Sequence, residues 1–235
     1  MPRRTPGLVS QTLSYFSEAV EEISDQREPH AAFWDEWNSE ALRSEGPLWV
    51  ALGDSSSQGI GAVDPHDSWV ARMADRLRVN TGHPWRVINL SMTGGQFSDV
   101  LEHQLPRYES LVARDNDVAL VTHLAGANDL NAPITWSETL HRLDEIIERL
   151  PSHAVIGRVG ASSKLNSFMG RRINARLDAA EAELPAHLFW PWAWPSRDGL
   201  AGDKFHPNEI GYGYMLDIIW GAIEASLAGG GSKFA

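Results

Sequence analysis

The chain has 235 residues, 43% of them hydrophobic, enough to bury a full core, and its length suits one large domain or a domain with an extension. Twenty Lys and Arg stand against 31 Asp and Glu, and the resulting formal charge of -11 disfavours a phosphate-backbone partner, and so nucleic-acid binding. The absence of cysteine excludes disulfides, thiolate nucleophiles and cysteine-based zinc sites.

The sequence opens on MPRR, and the following TPGLVSQTLSYFSEAVEEI is broken by Ser, Gln and Glu, so it has no continuous apolar stretch of a secretion signal. No segment approaches the roughly 18 consecutive apolar residues of a membrane span. The expectation is a soluble, cytoplasmic protein, with its oligomeric state open. Leu8, Leu13, Phe16, Val20 and Ile23 recur at loosely helical spacing, followed by Pro29 and a stretch from Phe33 to Leu42 that carries Trp34 and Trp37. Residues 1–46 therefore read as an N-terminal helical extension, either packed on the main body through Phe33, Trp34 and Trp37 or serving as a lid or dimer surface.

From Pro47 the pattern changes. Apolar runs at Leu48 to Leu52, Arg86 to Leu90, Val118 to Leu124 and Ala154 to Val159 are bounded by turn residues and read as buried strands, with a fifth around His187 to Trp190. Between them, stretches near 68–79, 97–113, 137–149 and 168–183 have helical period, and a last helix runs from Asn208 to about Leu227. Strands alternating with helices predict a parallel sheet covered on both faces, in a domain spanning 47–228. The tail 229–235, GGGSKFA, reads as a flexible linker.

In such a sheet ligands meet the carboxyl ends of the strands, and four punctuated stretches fall there. Gly53-Asp54-Ser55 follows the first strand, where a Ser on a sharp turn exposes its hydroxyl and its N–H; taken alone, it reads first as a polar, flexible Ser-rich loop. Ser56 and Ser57 beside it are assigned to capping the next helix or bonding the loop backbone. The second stretch runs from Asn89 to Gly95, where a glycine can bring a bare N–H to an oxyanion or simply form a turn. The third is Gly126-Ala127-Asn128-Asp129, whose Asn128 can offer side-chain N–H donors or act as a cap. The fourth, Asp203 to Asn208, places an Asp three residues before His206, close enough for the carboxylate to hold the imidazole tautomer. It also reads as a loop leading into a helix capped by Asn208, or as a fragment of a metal site, the latter weakened by the lack of further ligands at suitable spacing. His123, on a predicted strand without a paired carboxylate, reads as a satisfied core or surface residue.

Taken together and in this order, the four stretches resemble the motif blocks of the SGNH hydrolases, the GDSL-like esterases, over about residues 48–226. GDSSSQGIGA and GRRINARL are further similar to GDSL-like lipases of actinobacteria. The resemblance implies a flavodoxin-like three-layer α/β/α sandwich with a parallel sheet of about five strands. It implies a catalytic triad of Ser55, His206 and Asp203. It also implies an oxyanion hole from the backbone of Ser55, the backbone of Gly94 with Gly95 as a neighbouring alternative, and the side chain of Asn128. The implied activity is hydrolysis of a small-molecule acyl ester through an acyl-enzyme, with no cofactor and no metal.

Trp190, Trp192 and Trp194, just upstream of the His loop, can line an acyl pocket or stack on a sugar, or can belong to a proline-stiffened loop packed on the core. A carbohydrate O-deacetylase or a thioesterase would use the same triad. A non-catalytic binding module on the same scaffold is the alternative from another class. A nucleotide binder is disfavoured, because neither a G-x-x-x-x-G-K-[ST] loop nor a G-x-G-x-x-G after a strand is present.

Overall fold

The computed structural model describes residues 18–114, 118–160, 164–181, 187–189 and 197–229. Five strands, β1 (Leu48–Gly53), β2 (Arg86–Asn89), β3 (Val118–Leu124), β4 (Val155–Gly157) and β5 (His187–Phe189), form one parallel sheet in the order β2-β1-β3-β4-β5. This is the flavodoxin-like order, and its chain path reverses between β1 and β3. The nine α-helical segments among the described residues are α1 (Glu18–Asp25), α2 (Arg27–Ala41), α3 (Ser55–Gln58), α4 (Trp69–Thr81), α5 (Phe97–Asp99), α6 (Leu105–Val112), α7 (Trp136–Arg149), α8 (Lys164–Glu181) and α9 (Glu209–Gly229).

All six residues of β1 are buried, as a strand covered on both faces requires. Because side chains alternate along a strand, Leu48, Val50 and Leu52 enter one helical layer while Trp49 and Ala51 enter the other. The first layer is closed by Tyr108, Leu143, Ile147, Ile173 and Leu177 of α6, α7 and α8. The second is closed by Trp34, Trp69, Met73, Tyr212 and Ile219 of α2, α4 and α9. Each such side chain, fully buried, contributes roughly 1.5–3 kcal/mol relative to exposure. The α/β/α sandwich expected from the sequence is therefore present.

Local chemistry sets the element ends. Ser68 caps α4 by accepting from the Ala71 N–H at 3.2 Å, and Gly82, left-handed at φ 70, ends it two residues beyond the predicted limit. The helix expected over 97–113 is not regular: a π turn at Val100–Gln104 separates α5 from α6. Pro106 follows within the first turn of α6, where a missing N–H is tolerated. Of the N-terminal extension, α1 and α2 are described; Leu8, Leu13 and Phe16 lie outside the described residues, as does the tail from 230. Trp34 is fully buried in the second layer, so α2 is packed on the body of the protein.

Candidate active site

The loops after β1, β2 and β3 and the turn before α9 meet at the carboxyl edge of the sheet, at the reversal of strand order. Asp54 leaves β1 extended and caps α3 by accepting from the Ser56 N–H at 2.9 Å. The cap of this turn is thus Asp54 and not Ser56 or Ser57, because only the residue preceding the first helical position can reach those N–H groups. Ser57 is fully buried, and its hydroxyl has no hydrogen-bond partner among the described residues. Ser55 opens α3, and its Oγ lies 2.9 Å from His206 Nε2. His206 Nδ1 lies 2.6 Å from Asp203 Oδ2. A carboxylate only accepts, so Nδ1 carries the proton and donates to Asp203, leaving Nε2 to accept from the Ser55 hydroxyl.

Asp203 is fixed by its own turn. Its Oδ1 accepts from the N–H groups of Phe205 and His206, each at 3.0 Å, and Lys204 between them adopts a left-handed φ of 58. Burial pushes the Asp203 pKa up, but the His206 hydrogen bond and charge and the two N–H groups outweigh it, so the carboxyl is held below its usual value. Asn208 does cap the following helix, accepting from the N–H groups of Ile210 and Gly211 at 3.0 Å each. Both sequence readings of this stretch, cap and Asp–His pair, describe it.

The two glycines differ in which N–H is already used. Gly95 donates to the Met92 carbonyl at 2.8 Å, closing a turn. Gly94, held at φ 73, a conformation that side chains disfavour, has no acceptor for its N–H among the described residues, and neither has Ser55. The Asn128 Nδ2 donates one hydrogen to the Gly95 carbonyl at 3.0 Å, and its second hydrogen has no acceptor among the described residues. The three N–H groups expected to act as oxyanion donors thus lie on adjoining loops with no acceptor among the described residues.

Gln104 was not singled out from the sequence. Gln104, 1% exposed, clamps Gly53 at the end of β1: its Oε1 accepts from the Gly53 N–H at 2.8 Å and its Nε2 donates to the Gly53 carbonyl at 2.9 Å. The π turn aims it there. Gly61 lies directly behind the histidine, where a Cβ would fall 2.1 Å from the Pro207 carbonyl oxygen and 2.9 Å from His206 Cβ. His123 is a core residue, but it is not satisfied: neither ring nitrogen has a hydrogen-bond partner among the described residues. Burial pushes its pKa down to about 4, which leaves it a neutral ring stacked on Phe97 at 6.2 Å.

Two buried carboxyls flank the site. Burial pushes the pKa of Asp54 up to about 6 and that of Asp129 up to about 7, the latter against the pull of the Phe97 N–H, which both Asp129 oxygens accept at 3.2 and 3.1 Å. A carboxyl with a raised folded-state pKa holds its proton more tightly folded than unfolded. Its contribution is fully present below the unfolded value near 4 and is lost as the pH rises through the folded value. Asp129→Asn should therefore gain on wild type as the pH rises from about 4 to about 7, by up to about 4 kcal/mol at 1.36 kcal/mol per unit. Urea midpoints of both proteins at about pH 4 and about pH 8 measure this; a difference that does not change with pH would contradict it.

Trp190, Trp192 and Trp194 lie outside the described residues. Among the described residues no group of three His, Asp or Glu side chains is placed to hold a metal, and no helix is long and apolar enough to cross a membrane.

No curated protein matches the chain in sequence. Solved structures share its fold at low identity. A psychrotrophic esterase, EstA, from Pseudoalteromonas sp. is 17% identical at a TM-score of 0.63, over 77% of this chain and 98% of its own. AlinE4, an SGNH-hydrolase family esterase, is 24% identical at a TM-score of 0.56, over 78% and 98%. A variant of Axe2, an acetyl xylan esterase from Geobacillus stearothermophilus, is 17% identical at a TM-score of 0.56, over 77% and 95%. None of these likenesses bears on the similarity to actinobacterial lipases. The model of the GDSL-like lipase/acylhydrolase family matches residues 51–214. That span runs from within β1 into α9 and contains all four motif loops, and the chain belongs to this family of hydrolases acting on esters.

Proposed function

We propose that the protein is a serine esterase that hydrolyses carboxylic acyl esters through an acyl-enzyme, with Ser55 as nucleophile, His206 as general base and then acid, and Asp203 orienting the imidazole. The reading rests on the unbroken hydrogen-bonded line from Asp203 through His206 to Ser55, at 2.6 and 2.9 Å, beside N–H donors that have no acceptor among the described residues.

Ser55 Oγ attacks the ester carbonyl carbon while its proton passes to His206 Nε2. The negative charge that forms on the carbonyl oxygen is taken by the N–H groups of Ser55 and Gly94 and the free Nδ2 hydrogen of Asn128. Asp203, with its lowered pKa, stays ionised and stabilises the imidazolium. Collapse breaks the bond to the leaving alcohol, which takes the proton from Nε2. Water then attacks the acyl-enzyme, His206 accepts its proton, and the carboxylic acid leaves as Ser55 regains its hydrogen.

Intact-mass spectrometry after treatment with a fluorophosphonate tests the assignment. One adduct at Ser55 is expected, absent from Ser55→Ala and much slower to form in His206→Ala. No adduct on folded wild type, or one that persists in Ser55→Ala, would overturn it. Turnover of a p-nitrophenyl acyl-chain series beside acetylated sugars and acyl-CoA then separates an esterase from a sugar deacetylase or a thioesterase.

A further inference from the structure

Three side chains of the N-terminal helical segment end on the backbone of the loops that carry the reacting groups. Asn38, 6% exposed, pairs with Asn89 at the end of β2: its Nδ2 donates to the Asn89 carbonyl at 2.9 Å and its Oδ1 accepts from the Asn89 N–H at 2.8 Å. β2 is an edge strand, and the amide does there what a further strand would do. Asn89 passes the constraint on. Its Nδ2 donates to the Ser57 carbonyl at 2.7 Å and its Oδ1 accepts from the Ser91 N–H at 3.0 Å, so it ties the nucleophile turn to the glycine loop.

Trp34, fully buried, donates its Nε1–H to the Gln58 carbonyl at 3.0 Å. The Gln58 side chain donates to the Ser91 carbonyl and accepts from the Thr93 N–H, both at 3.0 Å, and Thr93 immediately precedes Gly94. Between α1 and α2, Gln26 Oε1 accepts from the Gly61 N–H at 2.7 Å, and Gly61 is the residue that backs His206.

We propose that the N-terminal helical segment is a built-in support of the active site, in which Gln26, Trp34 and Asn38 are positioning residues for the His206, Ser55 and Gly94 loops. Apolar residues would suffice if packing were the segment's only task. Instead it spends the buried Trp34 N–H and Asn38 amide, and the half-buried Gln26 amide, on backbone groups of these loops, and buried polar groups are costly unless the bond is made. All three residues lie before residue 51, where the family match begins, so this support is additional to the matched domain. Displacement of a reacting group by about 1 Å can cost on the order of 100-fold in rate, which gives such bonds leverage over kcat out of proportion to their stability.

The proposal rests on Ser55 being the nucleophile, and the test separates the two. Full-length wild type is first labelled with the fluorophosphonate; no adduct at Ser55 overturns the nucleophile assignment and the support proposal with it, before any variant is made. With the adduct found, Trp34→Phe, which keeps a ring and removes the N–H, and Asn38→Ala are compared with Leu111→Ala, a core truncation in the opposite layer. Melting temperature, kcat and KM for p-nitrophenyl acetate, and the labelling rate are measured for each. The expected result is a fall of about 10-fold or more in kcat and labelling rate for Asn38→Ala and about 5-fold for Trp34→Phe. KM should stay within about 3-fold, and Leu111→Ala should lose stability without loss of kcat. If both support variants keep wild-type kcat and labelling rate and lose only melting temperature, as the control does, the segment is scaffold and the proposal is overturned. Should Asn38→Ala not fold, Trp34→Phe decides between these results.

Discussion

Ser55→Ala and His206→Ala are each expected to lower kcat by about 10,000-fold or more, and the double variant to be no slower than either single one. In the proposed reaction the two side chains act as a unit. Without the hydroxyl there is no proton for Nε2 to take, and without Nε2 the hydroxyl is an ordinary weak nucleophile. Removing the second partner therefore removes nothing that still works, whereas independent effects would multiply. The residual rate belongs to the N–H donors of Ser55, Gly94 and Asn128, which remain in all three variants. Steady-state kinetics on an activated ester measure the series, and melting curves check that the fold survives. Losses that multiply in the double variant would show that Ser55 and His206 do not share one proton transfer, despite the 2.9 Å between them.

The sheet and the Asp203–His206 pair were legible because their signals are local. β3 spans Val118–Leu124, as its apolar run predicts, and Asp203 and His206 meet through a three-residue spacing that one turn can close. The extension was legible only as packing: the fully buried Trp34 follows from its aromatic character, but nothing in the spacing announces that Asn38 finds Asn89, 51 residues later. The Gln104 clamp on Gly53 is hidden for a related reason. Hydrophobic period reports which face of a helix is buried, and a π turn inserts one extra residue per turn without an apolar signature of its own. Gly94 and Gly95 are the same letter twice, and only the hydrogen bond already made by one of them tells them apart.

Asn128→Ala is expected to lower kcat on the order of 100- to 1000-fold, with KM changed much less, as when a single oxyanion donor is removed. The bond from its Nδ2 to the Gly95 carbonyl fixes the amide plane, so the second Nδ2 hydrogen faces a set direction before any substrate arrives. That preorganisation is the reason to expect an effect mainly on the transition state: charge grows on the oxygen as the tetrahedral intermediate forms, and an N–H already aimed there costs no reorganisation. Asn128→Asp should be slower still than Asn128→Ala. A carboxylate offers no donor to the oxyanion, repels its charge, and cannot keep the bond to the Gly95 carbonyl that holds the loops together. Measuring kcat and KM for the three proteins on one ester tests this order. If Asn128→Asp matched or exceeded Asn128→Ala, the side chain would be acting through the loop rather than on the developing charge.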